Sequence, residues 1–289
     1  MTKQNSPTVG FIGAGTTGTA LAVRLAQHGY PVVAVSSLSL TSAQKLASRI
    51  SNCKIYGGAQ DVAEVARLIF ITTPDDAISQ VVAELKWHDG QSVVHCSGAH
   101  SVDILEPARQ KGARTGCFHP LQTFASIDQA IENLPGSTFA IEAEEPLASL
   151  LKDMATSLEG DWVILKAGDK VLYHAAAVIA CNYLVTLVKL ATDLWQTFEV
   201  PSAQATDALM PLLRGTLSNI ENVGLPNCLT GPIARGDLGT ISRHLASISK
   251  QAPSLLTIYK ELGRQTIPIA LAKGRINSQT AEELKALLA

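Results

Sequence analysis

The chain has 289 residues, 46% hydrophobic and 17% charged, with a net charge of −2. This length allows two domains of ordinary size, each with its own core, and so little charge points to surface hidden in an oligomer. No basic run occurs, so nucleic acid is not an expected partner. The first eight residues are polar and lack the apolar stretch of a signal peptide. The longest apolar run, 175–190, is interrupted by Asn182 and Lys189, so no membrane span and a cytoplasmic location are expected.

In chain order, Val9–Ile12 reads as a short buried strand, and Gly13, Gly15 and Gly18 follow it as a G-x-G-x-x-G that opens a helix at Thr19. Each glycine has a separate physical use. Gly13 permits the tight turn, Gly15 lets a pyrophosphate approach bare backbone, and Gly18 lets helix and strand pack closely. Amides from Gly13, Ala14, Gly15, Thr16, Thr17 and Gly18, with the positive end of the helix dipole, would hold the phosphates. The second strand, 31–35, ends in Ser36-Ser37-Leu38-Ser39, where an enzyme using NAD usually presents a carboxylate to the ribose. Hydroxyls at Ser36 and Ser37 favour NADP, with NAD as the alternative.

A helix is expected over 40–50 with Thr41 as N-cap, and a third strand at 54–56. The apolar run 68–72 is the next strand, which places Thr73 and Pro74 as cofactor contacts. Asp75 and Asp76 are expected to cap the following helix. Strand 92–96 ends at Ser97, a candidate for the cofactor amide or substrate, and strand 114–118 leads into His119, fixed by Pro120 and placed to enter a cleft. Strands at 137–141 and 162–165, with a helix at 146–158 between them, complete a doubly wound α/β sheet of Rossmann type.

From Lys166 onward no strand pattern returns, so a dinucleotide-binding domain is expected over 1–166 and an all-α domain over 167–289. Its first helix, 169–198, is apolar round its circumference, which predicts burial in a core or a subunit interface. Further helices are expected at 202–222, 237–249, 254–271 and 278–288.

Reducing a carbonyl needs a proton donor for the developing alkoxide. Lys170 and His174 stand one turn apart near the start of the long helix, with Asn182 two turns further on the same seam. This makes Lys170 or His174 the expected donor, with Asn182 and His119 as positioning groups in an interdomain cleft. A second constellation, 229–237, holds Arg235, which either clamps a carboxylate or pairs with Asp237, and His244 lies beyond it. The five cysteines show no zinc spacing and no metal is expected. Cys96 is either a nucleophile or, as a better fit, a small buried hydrophobe.

Taken together, the glycine loop, Thr73-Pro74-Asp75, His95-Cys96-Ser97-Gly98-Ala99, His119-Pro120-Leu121-Gln122-Thr123-Phe124, Tyr173-His174-Ala175-Ala176-Ala177 and 229–237 carry a resemblance over nearly the whole chain. The chain resembles two-domain proteins with an N-terminal Rossmann-like NADP-binding domain and a C-terminal helical domain of unassigned function. It is more distantly similar to the 6-phosphogluconate dehydrogenase, ketopantoate reductase and pyrroline-5-carboxylate reductase clan. The resemblance implies a helical second domain that helps form a dimer. Two positions depart from it: Leu38 stands where the family often has Arg, and His174 stands where ketopantoate reductases place Asn. The function expected is NADPH-dependent reduction of a small, ketopantoate-like keto acid. The alternatives are a pyrroline-type imine reductase and a non-catalytic dinucleotide-binding regulator.

Overall fold

The computed structural model describes residues 6–289; residues 1–5, part of the polar stretch considered for a signal peptide, lie outside them. Eight strands form one sheet in the order β3-β2-β1-β4-β5-β6-β7-β8. They are β1 (Val9–Ile12), β2 (Val32–Ser36), β3 (Lys54–Ile55), β4 (Leu68–Ile71), β5 (Ser92–His95), β6 (Arg114–Leu121), β7 (Thr138–Ala143) and β8 (Asp161–Ile164). Between them run α1 (Thr16–Gln27), α2 (Leu40–Ala47), α3 (Ala59–Val65), α4 (Asp75–Glu84), α5 (Glu106–Arg109), α6 (Ile127–Asn133) and α7 (Leu147–Ser157). The first six strands are parallel, as a Rossmann-type sheet requires, but β7 runs antiparallel to β6 before β8 resumes the parallel pairing.

Strand alternation sends residues to two separate cores. Val9 and Phe11 of β1, with Leu68 and Phe70 of β4, face α1, α2 and α7. Ile12, Ile69 and Ile71 face α3 and α4 on the other side. Along the first face Phe11, Phe70, Phe118 and Phe139 form a continuous row, with ring centroids 5.1, 6.2 and 4.5 Å apart. All four rings are fully buried, and burial of each stabilises the sheet by about 1.5–3 kcal/mol.

The chain divides into two compact units, 1–181 and 182–289. The first unit thus extends beyond the expected boundary at 166, because helix α8 (Lys170–Ala180) buries Lys170 against the sheet domain. The single long helix expected over 169–198 is two helices. Cys181, at φ −109° and ψ −65°, ends α8, and α9 (Asn182–Gln196) begins the second unit. Nor is this run buried within the chain: Leu172, Ile179 and Val185 are all exposed. Among the described residues, 170–196 is the one helical run long and apolar enough by composition to cross a membrane.

The second unit continues with α10 (Ser202–Val223), α11 (Leu238–Gln251), α12 (Leu256–Ala272) and α13 (Ser278–Leu287). Its core gathers Ile233, Ile241, Ile267, Ala281, Leu284 and Leu288. The N-cap of α2 is Ser39, whose hydroxyl accepts from the Ser42 amide at 3.2 Å, rather than Thr41.

The glycine loop separates packing from openness. A Cβ on Gly18 would lie 2.4 Å from Thr72 Oγ1, whereas one on Gly15 would meet nothing within 4 Å. Gly15 also has φ −73°, which alanine adopts freely. Gly18→Ala is therefore expected to cost about 1–3 kcal/mol of stability by overpacking. Gly15→Ala should stay within about 0.5 kcal/mol of the parent. Urea titrations of both variants check this; equal midpoints would contradict the packing assigned to Gly18.

Candidate functional site

The site lies at the carboxyl ends of the parallel strands, where open α/β sheets bind their ligands. Gly13 takes φ +105°, and a Cβ there would stand 2.6 Å from the Thr72 carbonyl. Thr72 Oγ1 donates to the Gly13 carbonyl at 2.8 Å. Two of the three glycines thus admit Thr72, and the third faces open space. Ala14 buries its side chain in the core, leaving only its backbone for a ligand, while Thr16 and Thr17 are half-buried. The first turn of α1 carries no acidic residue, as an anion-binding helix end requires.

At the end of β2, Ser36 is buried and Ser37 half-buried. Beyond β4, Pro74 is the exposed N-cap of α4, and Thr73 Oγ1 is buried without a hydrogen-bond partner. An unpaired hydroxyl costs stability unless a ligand satisfies it. Asp75 was expected only to cap the helix. Its carboxylate instead accepts from Ser97 Oγ at 2.8 Å. Ser97 Oγ also accepts from the amides of Ala99 and His100, both at 3.1 Å. The Ser97 hydroxyl is thereby committed to shaping the turn after β5.

That turn is fixed from the other side by Lys170. Its side chain is 1% exposed, and Nζ donates to the Ser97 carbonyl at 2.7 Å. The ammonium also stands 5.4 Å from the centroid of the Tyr173 ring. The one-turn periodicity of α8 then brings His174 to the same turn. A Cβ on Gly98 would lie 2.7 Å from His174 Nδ1 and 2.8 Å from His119 Nε2. Two imidazoles thus converge on one bare stretch of backbone. His174 Nδ1 is buried without a partner, and His119 Nδ1 pairs with the Tyr173 hydroxyl at 2.8 Å.

His119 reaches this place because β6 continues past the end of β5. His95, the last residue of β5, pairs with Cys117, and the overhang is carried by antiparallel β7, where His119 faces Ala140. Burial, and then the Lys170 ammonium, pushes the His119 pKa down to about 3, so its imidazole is neutral at pH 7. Burial holds the Tyr173 phenol above its ordinary range, so it keeps its proton.

The structure therefore brings together Lys170, His174, His119 and Ser97. Asn182 is not carried on their helix: the break at Cys181 interrupts the expected seam, and Asn182 is the exposed first residue of α9. Two contributors were not singled out from sequence, Tyr173 and His95. Tyr173 was findable, one helical turn after Lys170. His95 is fully buried, and its Nδ1 accepts from the Ser97 amide at 3.2 Å. Cys96 is a buried core residue whose thiol is pushed well above its ordinary pKa by burial, as the hydrophobe reading expected. His244 pairs with the Tyr259 hydroxyl at 2.7 Å within the second unit. Among the described residues no group of His, Cys, Asp or Glu is placed to hold a metal.

Two family models divide the chain. Residues 2–120 match a Rossmann-like domain, and residues 137–266 match a domain of unknown function, DUF2520. Each model accounts for less than half of the chain. No curated protein matches it in sequence. Among solved structures it resembles a Bacteroides fragilis protein described as a candidate NADP oxidoreductase, at 25% identity and TM-score 0.70, covering 91% of this chain and 98% of that one. It also resembles a reductive aminase from Aspergillus terreus solved with NADPH and ethyl-5-oxohexanoate, at 16% identity and TM-score 0.61, covering 98% and 92%. A third likeness is to 1-pyrroline-5-carboxylate reductase from Streptococcus pyogenes, at 16% identity and TM-score 0.60, covering 97% and 98%.

The buried His95 of the Rossmann-like domain has a direct consequence for stability. Its pKa falls from 6.5 to about 3, first through burial and then through the Lys170 ammonium. Between those values the unfolded chain binds a proton that the folded chain refuses, so stability falls as pH drops below 6.5. At pH 5 the loss should reach about 2 kcal/mol for this one histidine. Urea unfolding at pH 7 and pH 5 measures it. In His95→Asn, which keeps an acceptor for the Ser97 amide, the difference between the two pH values should shrink by about that amount.

Proposed function

We propose that the protein is an NADPH-dependent reductase of a small carbonyl or imine compound, acting at the backbone of Gly98. The observation that carries this reading is the pair of imidazole nitrogens, His119 Nε2 and His174 Nδ1, aimed at that one glycine, with the His174 nitrogen buried and unpaired. The residues present fit a dinucleotide. Gly15 stands under open space, Thr73 Oγ1 lacks a partner, and no carboxylate stands at Ser36-Ser37 to repel a 2′-phosphate. Gly13, Ala14, Gly15, Thr16, Thr17 and Gly18 would hold its pyrophosphate through backbone amides, with Ser36 and Ser37 toward the ribose and Thr73 and Pro74 toward the nicotinamide. Ser97 shapes the turn that faces it.

Bound there, the cofactor supplies a hydride to the carbon of a C=O or C=N group. The protein's part is to stabilise the charge that then develops. A neutral His119, with Nδ1 held by the Tyr173 hydroxyl, can present Nε2–H to an oxygen or nitrogen, and a neutral imidazole suffices to polarise such a bond. In the tautomer with Nε2 protonated, the Tyr173 hydroxyl donates to Nδ1 and holds that tautomer in place. His174 Nδ1 offers the second contact. Lys170 acts through position: it fixes the Ser97 carbonyl, and its charge adds to the burial that keeps His119 neutral. A ketopantoate-like keto acid and a cyclic imine both suit this arrangement, and assays on both separate them.

NADPH consumption at 340 nm with a panel of keto acids, ketones and cyclic imines tests the reading. One member is expected to be turned over, with NADPH preferred to NADH. His119→Asn should then lower kcat by about 100-fold or more. Gly15→Ala should weaken NADPH binding while the fold persists. Tight NADPH binding with no turnover would leave a dinucleotide-binding regulator, and no binding of either nucleotide would remove the proposal.

The same reading includes a homodimer. Leu172, Ile179, Val185, Leu212 and Leu217 on α8, α9 and α10 lie exposed. The Lys189–Asp193 ion pair within α9, at 2.6 Å, suits a protein partner better than lipid. Sedimentation equilibrium is expected to give twice the 30.5 kDa chain mass; a monomer at micromolar concentration would contradict it.

A further inference from the structure

The second unit has a second concentration of functional groups that the reductase reading does not use. The segment at Leu229 and Thr230, the 3₁₀ turn Ile233–Arg235 and the corner at Lys273 and Arg275 enclose a cavity of about 460 Å³. This is the size of a small-molecule site rather than a bare ion hole. Three of its lining residues are cationic, Arg235, Lys273 and Arg275, and no acidic residue lines it. That clustering occurs in a chain whose net charge is −2.

The cations differ in how far they are already committed. Lys273 Nζ donates to the carbonyls of Asn227 and Leu229, both at 2.7 Å, which fixes the loop and leaves one N–H. Arg235 does not lock its loop by pairing with Asp237. The Asp237 carboxylate is taken by the Thr240 amide at 2.9 Å and the Thr240 hydroxyl at 2.8 Å. The loop is held by its own backbone, through the Asp237 amide on the Pro232 carbonyl at 2.9 Å and Gly236 at φ +68°. Neither the Arg235 nor the Arg275 guanidinium forms an ion pair or hydrogen bond among the described residues. Arg235 lies near enough to the Asp237 carboxylate to help hold its pKa down, yet both guanidiniums line the cavity with their N–H groups unbonded.

We infer that this cavity binds the oxyanion group, carboxylate or phosphate, of a small organic acid. Arg235 and Arg275 would grip the oxyanion, the remaining Lys273 N–H would add a third donor, and Leu229 and Ala234 would meet the organic body. Guanidinium geometry matches both oxyanions bidentately. The inference does not depend on the Rossmann-like domain turning over a substrate.

Isothermal titration of the full-length protein with inorganic phosphate and with succinate, at low ionic strength, tests it. At least one should bind with a dissociation constant below about 10 mM. Arg235→Ala and Arg275→Ala should each weaken that binding about 10-fold or more. Arg109→Ala, remote in sequence and paired with Glu106 on α5, should not change it. Succinate alone binding would name a carboxylate ligand, and phosphate alone a phosphate ester. Binding of neither anion would overturn the inference. So would phosphate binding that both arginine substitutions leave unchanged, since that phosphate would sit elsewhere, at the glycine loop for example.

Discussion

A single buried ammonium organises the first unit. Lys170 has no carboxylate within ion-pair distance among the described residues, yet it is 1% exposed and donates to the Ser97 carbonyl. Burying a cation among neutral partners is costly. The carbonyl, the face of Tyr173 and the fixed turn after β5 offset that cost together. Because Lys170 begins α8, satisfying it also sets the helix phase that turns His174 toward Gly98 and Tyr173 toward His119. Burial, and after it this charge, keeps His95 and His119 unprotonated. One residue thus links the position of the turn, the phase of α8 and the extent of the sheet unit.

The sheet supplies the opposing half of the arrangement. A purely parallel edge would have ended β6 near the level of its neighbour. Reversing the direction of β7 gives the last residues of β6 a partner of their own, so His119 stands beyond the end of β5 on a hydrogen-bonded strand. Sites built on strands hold their geometry more tightly than sites on loops. The absence of a side chain at Gly98 lets both imidazoles approach the backbone there.

Much of this was legible in the sequence where the controlling interaction is local. The glycine loop could be read because each glycine answers a backbone requirement within a few residues, and the alternation of strands with helices announced a doubly wound sheet. His119 was legible from its place at a strand end before proline. The reversal of β7 was not, since an apolar strand has the same pattern in either direction. The break at Cys181 carries no proline or glycine to mark it, so α8 and α9 read as one helix and Asn182 was placed on its seam. The commitment of the Ser97 hydroxyl to Asp75, and the convergence of His119 with His174, depend on contacts distant in sequence that no periodicity encodes.

Beneath the turn lies Cys117, whose thiol is buried and approaches the Ser97 carbonyl at 3.6 Å. Burial raises its pKa to about 11, and the neighbouring Cys96 is shifted the same way. Alkylating reagents attack the thiolate, so both sulfurs are chemically silent while β5 and β6 remain joined. Their slow labelling in native protein would act as a clock for opening of this floor alone. It would distinguish breathing of the two strands from unfolding of the whole chain.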